Sequence, residues 1–163
     1  MDFEIKQLRA GETAIVETIL TEAVKWLDDE GIHQWEYEDV TWDAISELFS
    51  ADDFFITYAD GKPAACMALI DYDPVFWEDV EKGESLYIHK LAVRREFAGM
   101  GIAKLCIDFA KSRARSVGAS SVRLDCYKNR TKVRALYERE GFKFVREQVL
   151  FGHYDASFYV CEL

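Results

Sequence analysis

The chain has 163 residues, half of them hydrophobic, with only two prolines and a formal net charge of −10. That is enough apolar material for a core without disulfide or metal staples, and too ordered a composition for long disorder. The opening MDFEIKQLRA lacks the basic start and apolar middle of a secretory signal, and the longest strongly apolar run, PAACMALI, is far too short for a bilayer. These features lead us to expect a single domain over residues 1–163, soluble and cytoplasmic.

The charge is unevenly divided. Residues 1–84 carry 22 Asp and Glu against 5 Lys and Arg, whereas residues 85–163 carry 8 against 15. A solvated acidic surface is the plain explanation; the sharper one is an anionic ligand on the second half and a cationic one on the first. Overall acidity argues against general nucleic-acid binding, which neutralises phosphates with Lys and Arg.

Taken in chain order, FEIKQL alternates apolar and polar residues and predicts a first strand. From Glu12 to Glu30, Val16, Leu20, Ala23 and Leu27 recur at helical spacing, Ile15 and Ile19 widen the stripe, and Gly31 is placed to stop the helix. TWDAISELF predicts a second short helix with Thr41 as its cap. In FFITYADGKPAACMALIDYD, Asp60-Gly61 between two apolar runs predicts a β-hairpin. DPVFWEDVEKGE is a loop rich in acids and aromatics, and SLYIHKLAV a buried strand. Ile102, Leu105, Cys106 and Phe109 form the stripe of a core-facing helix that ends near Gly118. SVRLDCY is a strand, and TKVRALYEREGF a helix closed by Gly141 with Val133, Leu136 and Tyr137 on one face. FKFVREQ and SFYVCEL close the chain as strands, so the order is β-α-α-β-β-β-α-β-α-β-β, an α/β domain with a mixed sheet.

Cys66, Cys106, Cys126 and Cys161 form no CxxC pair and lie near no histidine set, so zinc is not expected. Their apolar neighbours suit small buried thiols in a reducing compartment. No metal is expected.

The segment REFAGMGIAK places Gly99 and Gly101 between a strand and a helix. It is neither a dinucleotide fingerprint, because Lys104 stands where a third small residue is needed, nor a triphosphate loop, because Gly-Lys-Ser/Thr is absent. Small residues before a helix leave amides and a positive dipole end open to an anion, and a plain helix-entry turn is the alternative.

LYIHKLAVRREFAGMGIAKL, followed by LDCYKNRTKVRALYEREGF, resembles the GNAT superfamily of N-acetyltransferases, in motif over residues 85–145 and in element order over the whole chain. The resemblance implies a GNAT-like mixed, mostly antiparallel sheet flanked by helices, with acetyl-CoA as co-substrate. In that family a strand ending Leu-Ala-Val, here Leu91-Ala92-Val93, precedes a loop whose amides hold the pyrophosphate; here the loop is Ala98-Gly99-Met100-Gly101-Ile102-Ala103. LYEREGF puts Tyr137 at the family's general-acid position, and the resemblance assigns the oxyanion contact to the Val93 amide, beside a local splay of the strand. Two positions depart: Ala98 replaces Arg or Gln, and Arg130 replaces an Asn, with Asn129 beside it as the remaining cofactor contact. Periodicity alone reads Tyr137 as a core residue.

By the two-residue period Tyr87, His89, Leu91 and Val93 share one strand face, so Tyr87 and His89 line the approach to the acetyl group, with His89 suited to proton transfer. A satisfied structural histidine is the alternative, and a base acting through water remains open. KWLDDEGIHQWEYEDVTW supplies aromatics and acids, with Trp35, Glu36 and Tyr37 as the acceptor wall; the alternative is a surface segment anchored by its tryptophans. DYDPVFWEDVEKGE is a second candidate wall or a homodimer contact. Arg94, Arg95, Lys104, Lys128 and Arg130 are candidates for the phosphates of CoA. The expected function is acetyl transfer from acetyl-CoA to a primary amine by direct attack in a ternary complex, with a small cationic acceptor first and a protein amine second. A noncatalytic acyl-CoA-binding or sensing module is the rival, and no nucleic-acid or membrane partner is expected.

Overall fold

Asp60 and Gly61 both adopt left-handed backbone (φ 48° and 80°) and close a two-residue hairpin, the turn whose twist matches that of its strands. The structure, a computed structural model, describes residues Met1–Leu163. Its strands are β1 (Phe3–Gln7), β2 (Phe54–Ala59), β3 (Lys62–Ile70), β4 (Ser85–Val93), β5 (Ser121–Tyr127), β6 (Lys143–Leu150) and β7 (Tyr154–Glu162). Its helices are α1 (Thr13–Asp29), α2 (Trp42–Ile45), α3 (Ile102–Ser116) and α4 (Thr131–Arg139), in the predicted order. The sheet runs β1-β2-β3-β4-β5-β7-β6. β1–β2, β2–β3, β5–β7 and β6–β7 pair antiparallel, and β4–β5 parallel. Residue contacts divide the chain into two units, Met1–Leu69 with His89–Cys106, and Ile70–Ile88 with Ile107–Leu163.

In the first unit, α1 buries Val16, Ile19, Leu20 and Val24 against Phe54 and Ile56 of β2 and Cys66 and Ala68 of β3, and Leu27 is buried farther along the helix. Ala23, expected in that row, is only partly buried, because Val24 continues the four-residue step from Val16 and Leu20. Each large aliphatic buried there contributes about 1.5–3 kcal/mol. The second helix is shorter than TWDAISELF suggests, four residues, and its remainder turns so that Phe49 packs on the same cluster. Thr41 caps it as expected, its hydroxyl accepting from the Ala44 amide at 3.3 Å, a contact worth about 1 kcal/mol. On the other sheet face the Thr57 hydroxyl meets the Cys106 thiol at 3.3 Å.

In the second unit β7 pairs along all of β5, from Ser121 to Tyr127, whereas β4 pairs with β5 only through Ser85–Tyr87 against Ser121–Arg123. Past Arg123, β5 therefore keeps β7 as its ladder partner without continuing the β4 register. Ile107, Ala110 and Ala114 are the buried residues of this part of α3, while Phe109, expected in the stripe, is half-buried. The small alanines allow close approach to the sheet, a feature that a reading weighted toward large side chains passes over. Leu105, in the part of α3 that belongs to the first unit, is likewise only half-buried. Gly141 (φ 93°) ends α4 as predicted, and the Phe142 amide bonds back to the Tyr137 carbonyl at 3.0 Å.

All four cysteines are free; Cys66, Cys106 and Cys161 are buried and Cys126 half-buried. Burial raises three of the thiols, Cys66 strongly, Cys106 to about 11 and Cys126 to about 12, so these three are not nucleophiles at neutral pH.

Candidate functional site

The glycine loop joins a single turn of 3-10 helix, Arg95–Phe97, to α3. Gly99 and Gly101 are left-handed (φ 77° and 78°), solvent-exposed, and would bring a Cβ within 4 Å of nothing. Glycine is therefore required by backbone angle rather than by crowding. Ala98 is extended (φ −63°, ψ 145°) and exposed, as is Met100, while Ile102 is buried and Ala103 half-buried. Ile102 anchors the helix start, so the exposed main chain from Ala98 to Gly101 is held by packing on one side only. The Leu105 amide donates to the Gly101 carbonyl at 3.1 Å, which closes the first turn of α3. Amides ahead of that turn have no helical acceptor, and a 15-residue helix directs the positive end of its dipole toward them.

The preceding strand corrects one expectation. Lys90 has φ 53° within β4, a left-handed residue without glycine's freedom, at a cost of about 1–2 kcal/mol. On its two sides, the His89 ring packs on Phe49 at 5.6 Å and Ala92 belongs to the core cluster that Phe49 covers. Residues three apart thus face the same side, which regular alternation forbids. His89, Leu91 and Val93 do not share one face: the alternation resets at Lys90, whose carbonyl accepts from the Cys66 thiol at 3.4 Å. Nothing in the sequence marks Lys90 for this irregularity.

Two of the proposed phosphate cations are engaged elsewhere. Arg94 donates through Nε and a terminal nitrogen to the two Glu22 oxygens, both at 2.9 Å, and to the Pro63 carbonyl at 3.1 Å. Lys128 pairs with Glu147 at 3.3 Å. Arg95 lies over the Trp26 ring at 4.0 Å. Arg130 precedes α4 and its amide bonds the Tyr127 carbonyl at 3.0 Å, with Asn129 exposed beside it.

Tyr137 sits on α4 with 7% of its surface exposed, its ring 5.8 Å from Phe142 and 6.3 Å from Tyr159. Burial raises its hydroxyl well above the ordinary tyrosine range, so it holds its proton throughout the neutral range. Tyr87 is fully buried, and the same cause lifts its hydroxyl to about 12. It therefore keeps its proton at neutral pH.

The expected acceptor wall is partly spent within the protein. The Trp35 ring is half-buried on the first unit's core and receives the Lys90 ammonium at 5.0 Å. Glu36 meets His33 at 3.0 Å, while Tyr37 is exposed at the start of a 3-10 turn.

Sequence reasoning did not bring together two acids of the second unit. Asp73, in the loop before β4, and Asp125, on β5, bring carboxylate oxygens within 4.8 Å of each other. Asp73 is 7% exposed and Asp125 half-buried; the Tyr154 hydroxyl donates to Asp125 Oδ2 at 2.6 Å. Loop, strand and hairpin residues meet here only through the fold, and the one sequence signal was the acid-and-aromatic composition of the loop.

Residues 16–142 match the model of a family described as the acetyltransferase (GNAT) family. A Bacillus subtilis (strain 168) protein named as an uncharacterized N-acetyltransferase, YesJ, is 28% identical over 135 residues, which cover 78% of this chain and 74% of that protein. Among solved structures, a GNAT-family acetyltransferase of Listeria monocytogenes is similar over 99% of this chain and 95% of its own, with a TM-score of 0.76 at 21% identity. The PaiA N-acetyltransferase of Thermoplasma acidophilum, in complex with coenzyme A, is similar over the full length of both chains, with a TM-score of 0.76 at 17% identity. No helix is long and apolar enough to cross a membrane.

Proposed function

The chain belongs to the acetyltransferase (GNAT) family, whose members take an acetyl group from acetyl-CoA, and on that premise we propose transfer to a primary amine of a small cationic acceptor, by direct attack within a ternary complex. The observation that carries this reading is the glycine loop: two left-handed, exposed glycines directly before α3, with open space where side chains would stand. Such a loop suits a pyrophosphate, because amides and the helix dipole supply the charge complement without side chains. That explains how Ala98 can replace a longer polar residue.

The remaining roles follow from the chemistry of acyl transfer. The Val93 amide supports the acetyl oxygen as it takes negative charge. Tyr137, kept protonated by burial, donates to the sulfur and returns a proton to the departing thiolate. Leu91 and Ala92 lead the strand to that point, and Asn129 contacts the cofactor. Arg94, with its guanidinium committed to Glu22, is assigned to structure rather than to phosphate.

Free-thiol release from acetyl-CoA, measured across an amine panel with product mass as a check, tests the proposal. Amine-dependent release with acetylated product is expected. Binding of acetyl-CoA without turnover on any amine would instead describe a sensing module.

A further inference from the structure

Arg130 and Tyr137 stand along one line of α4, wholly within the second unit. Arg130 is the N-cap (φ −81°, ψ 66°), and its carbonyl accepts from the Arg134 amide at 2.9 Å, which fixes it to the first turn. Tyr137 follows seven positions later, and two turns of helix return it to nearly the same face. Long helical side chains lean toward the N-terminus, and the two groups are close enough for each to act on the other's charge. Arg134, between them, is committed elsewhere: Nε donates to the Tyr159 hydroxyl at 2.8 Å, and a terminal nitrogen to the Lys128 carbonyl at 3.0 Å.

Proton affinities give this arrangement its meaning. Burial, with Cys126 and Asp125 nearby, holds the Tyr137 hydroxyl well above the ordinary tyrosine range, and Arg130 opposes them. An ordinary thiol has a pKa of about 8.5 and an ordinary tyrosine about 10. A proton passing from Tyr137 to a thiolate therefore travels uphill, and burial steepens the climb. A phenolate formed there needs a cation. Arg130 is half-buried, and burial pulls its guanidinium below the usual arginine range while Tyr137 acts to restore it. A cation at that place is costly, both for its lost water and because it faces the positive end of the helix dipole. Negative charge appearing beside it relieves both costs. Acetyl transfer supplies that charge once per turnover. The amine lone pair bonds to the acetyl carbon, and the carbon–sulfur bond breaks with its electrons going to sulfur. The Tyr137 proton goes to the sulfur, and the phenolate takes back the proton that the newly acylated amine gives up.

We propose that Arg130 is a positioning residue of the transfer step, set at the head of α4 to stabilise the Tyr137 phenolate and so make a buried tyrosine a competent proton donor. This rests on the reading of Tyr137 as the acid and deepens it. It also gives a reason for arginine where the resemblance puts asparagine. An amide at that position can form a hydrogen bond, but it brings no charge to set against a phenolate.

Steady-state kinetics of the full chain, with acetyl-CoA and the fastest amine of the panel, test this. Arg130→Gln is expected to lower kcat about tenfold to a hundredfold and to leave KM for acetyl-CoA within about twofold. Arg130→Lys, which keeps the charge, recovers most of that loss. In a Tyr137→Phe background, Arg130→Gln costs less than about threefold, because no phenolate is left to stabilise. Where Arg130→Gln lowers thermal stability, Arg130→Met, which keeps the buried stem, takes its place. A raised KM for acetyl-CoA with kcat unmoved overturns the proposal and makes Arg130 a phosphate contact. Losses that simply multiply in the double variant overturn it as well, since a structural role alone behaves that way. The two readings fail differently. If Tyr137→Phe lowers kcat and Arg130→Gln does not, the role of Arg130 fails and that of Tyr137 stands. If Arg130→Gln lowers kcat and Tyr137→Phe does not, Tyr137 is not the acid, and the role of Arg130 falls with it.

Discussion

The glycine loop of the first unit and the carboxylate face of the second present their polar groups in opposite ways. Between Ala98 and Gly101 the useful groups are main-chain amides, exposed and shaped by two left-handed residues. Around Asp73 and Asp125 the polar groups are side chains, brought from separate elements and walled by rings. A main-chain site tolerates loss of a neighbouring side chain, as Ala98 illustrates, but not a change in backbone angle. A side-chain arrangement is the reverse, so substitutions should separate the two kinds cleanly.

The largest expected effect is on chemistry. Tyr137→Phe should lower kcat about a hundredfold, in the range for a positioned proton donor, with acetyl-CoA affinity unchanged; steady-state kinetics beside direct titration of CoA checks this. Unaltered kcat would return Tyr137 to the core role that its periodicity first suggested. Next is Gly101→Val, which forces a β-branched residue to φ 78° and should weaken CoA binding about tenfold or more through a rearranged loop. Arg94→Ala should act on stability instead. It removes a two-pronged contact to Glu22, costing about 1–2 kcal/mol in a denaturant melt, and CoA affinity should not move. A large loss of CoA affinity there would restore Arg94 to the cofactor site.

How much of this was legible in the sequence follows the same division. The hairpin at Asp60-Gly61, the cap at Thr41 and the stop at Gly141 are local devices, each written in two or three adjacent residues, and each forms as read. The loop at Gly99 and Gly101 is local too, so its left-handed geometry could be anticipated. Lys90 could not: its backbone conformation is imposed by the surrounding strands, and no propensity of lysine asks for it. The face-sharing of His89 with Val93 failed for that reason. Asp73 and Asp125 stand 52 positions apart in the chain, and only the β4–β5 register and the loop bring them together. The contact of the Trp35 ring with Lys90 was not legible either, because Lys90 belongs to a distant strand.

The smallest expected effect concerns the thiols, which belong to neither region. Burial holds Cys106 and Cys126 protonated to about 11 and about 12, against an ordinary value of 9.0. The folded state therefore keeps protons that the unfolded state releases, and stability is full below pH 9.0 and falls as pH rises toward the folded values. A denaturant series from neutral to alkaline pH should show that decline, reduced in Cys126→Ser. A flat profile would mean that these thiols are not held in their buried, neutral form.

The central claim is that the glycine loop grips the cofactor with its main chain while Tyr137 serves the chemistry. KM for acetyl-CoA and kcat, measured in two variants, test it most directly. The account predicts that Gly101→Val raises KM for acetyl-CoA, and that Tyr137→Phe lowers kcat and leaves KM for acetyl-CoA in place. An unmoved KM in Gly101→Val together with an unmoved kcat in Tyr137→Phe would contradict it.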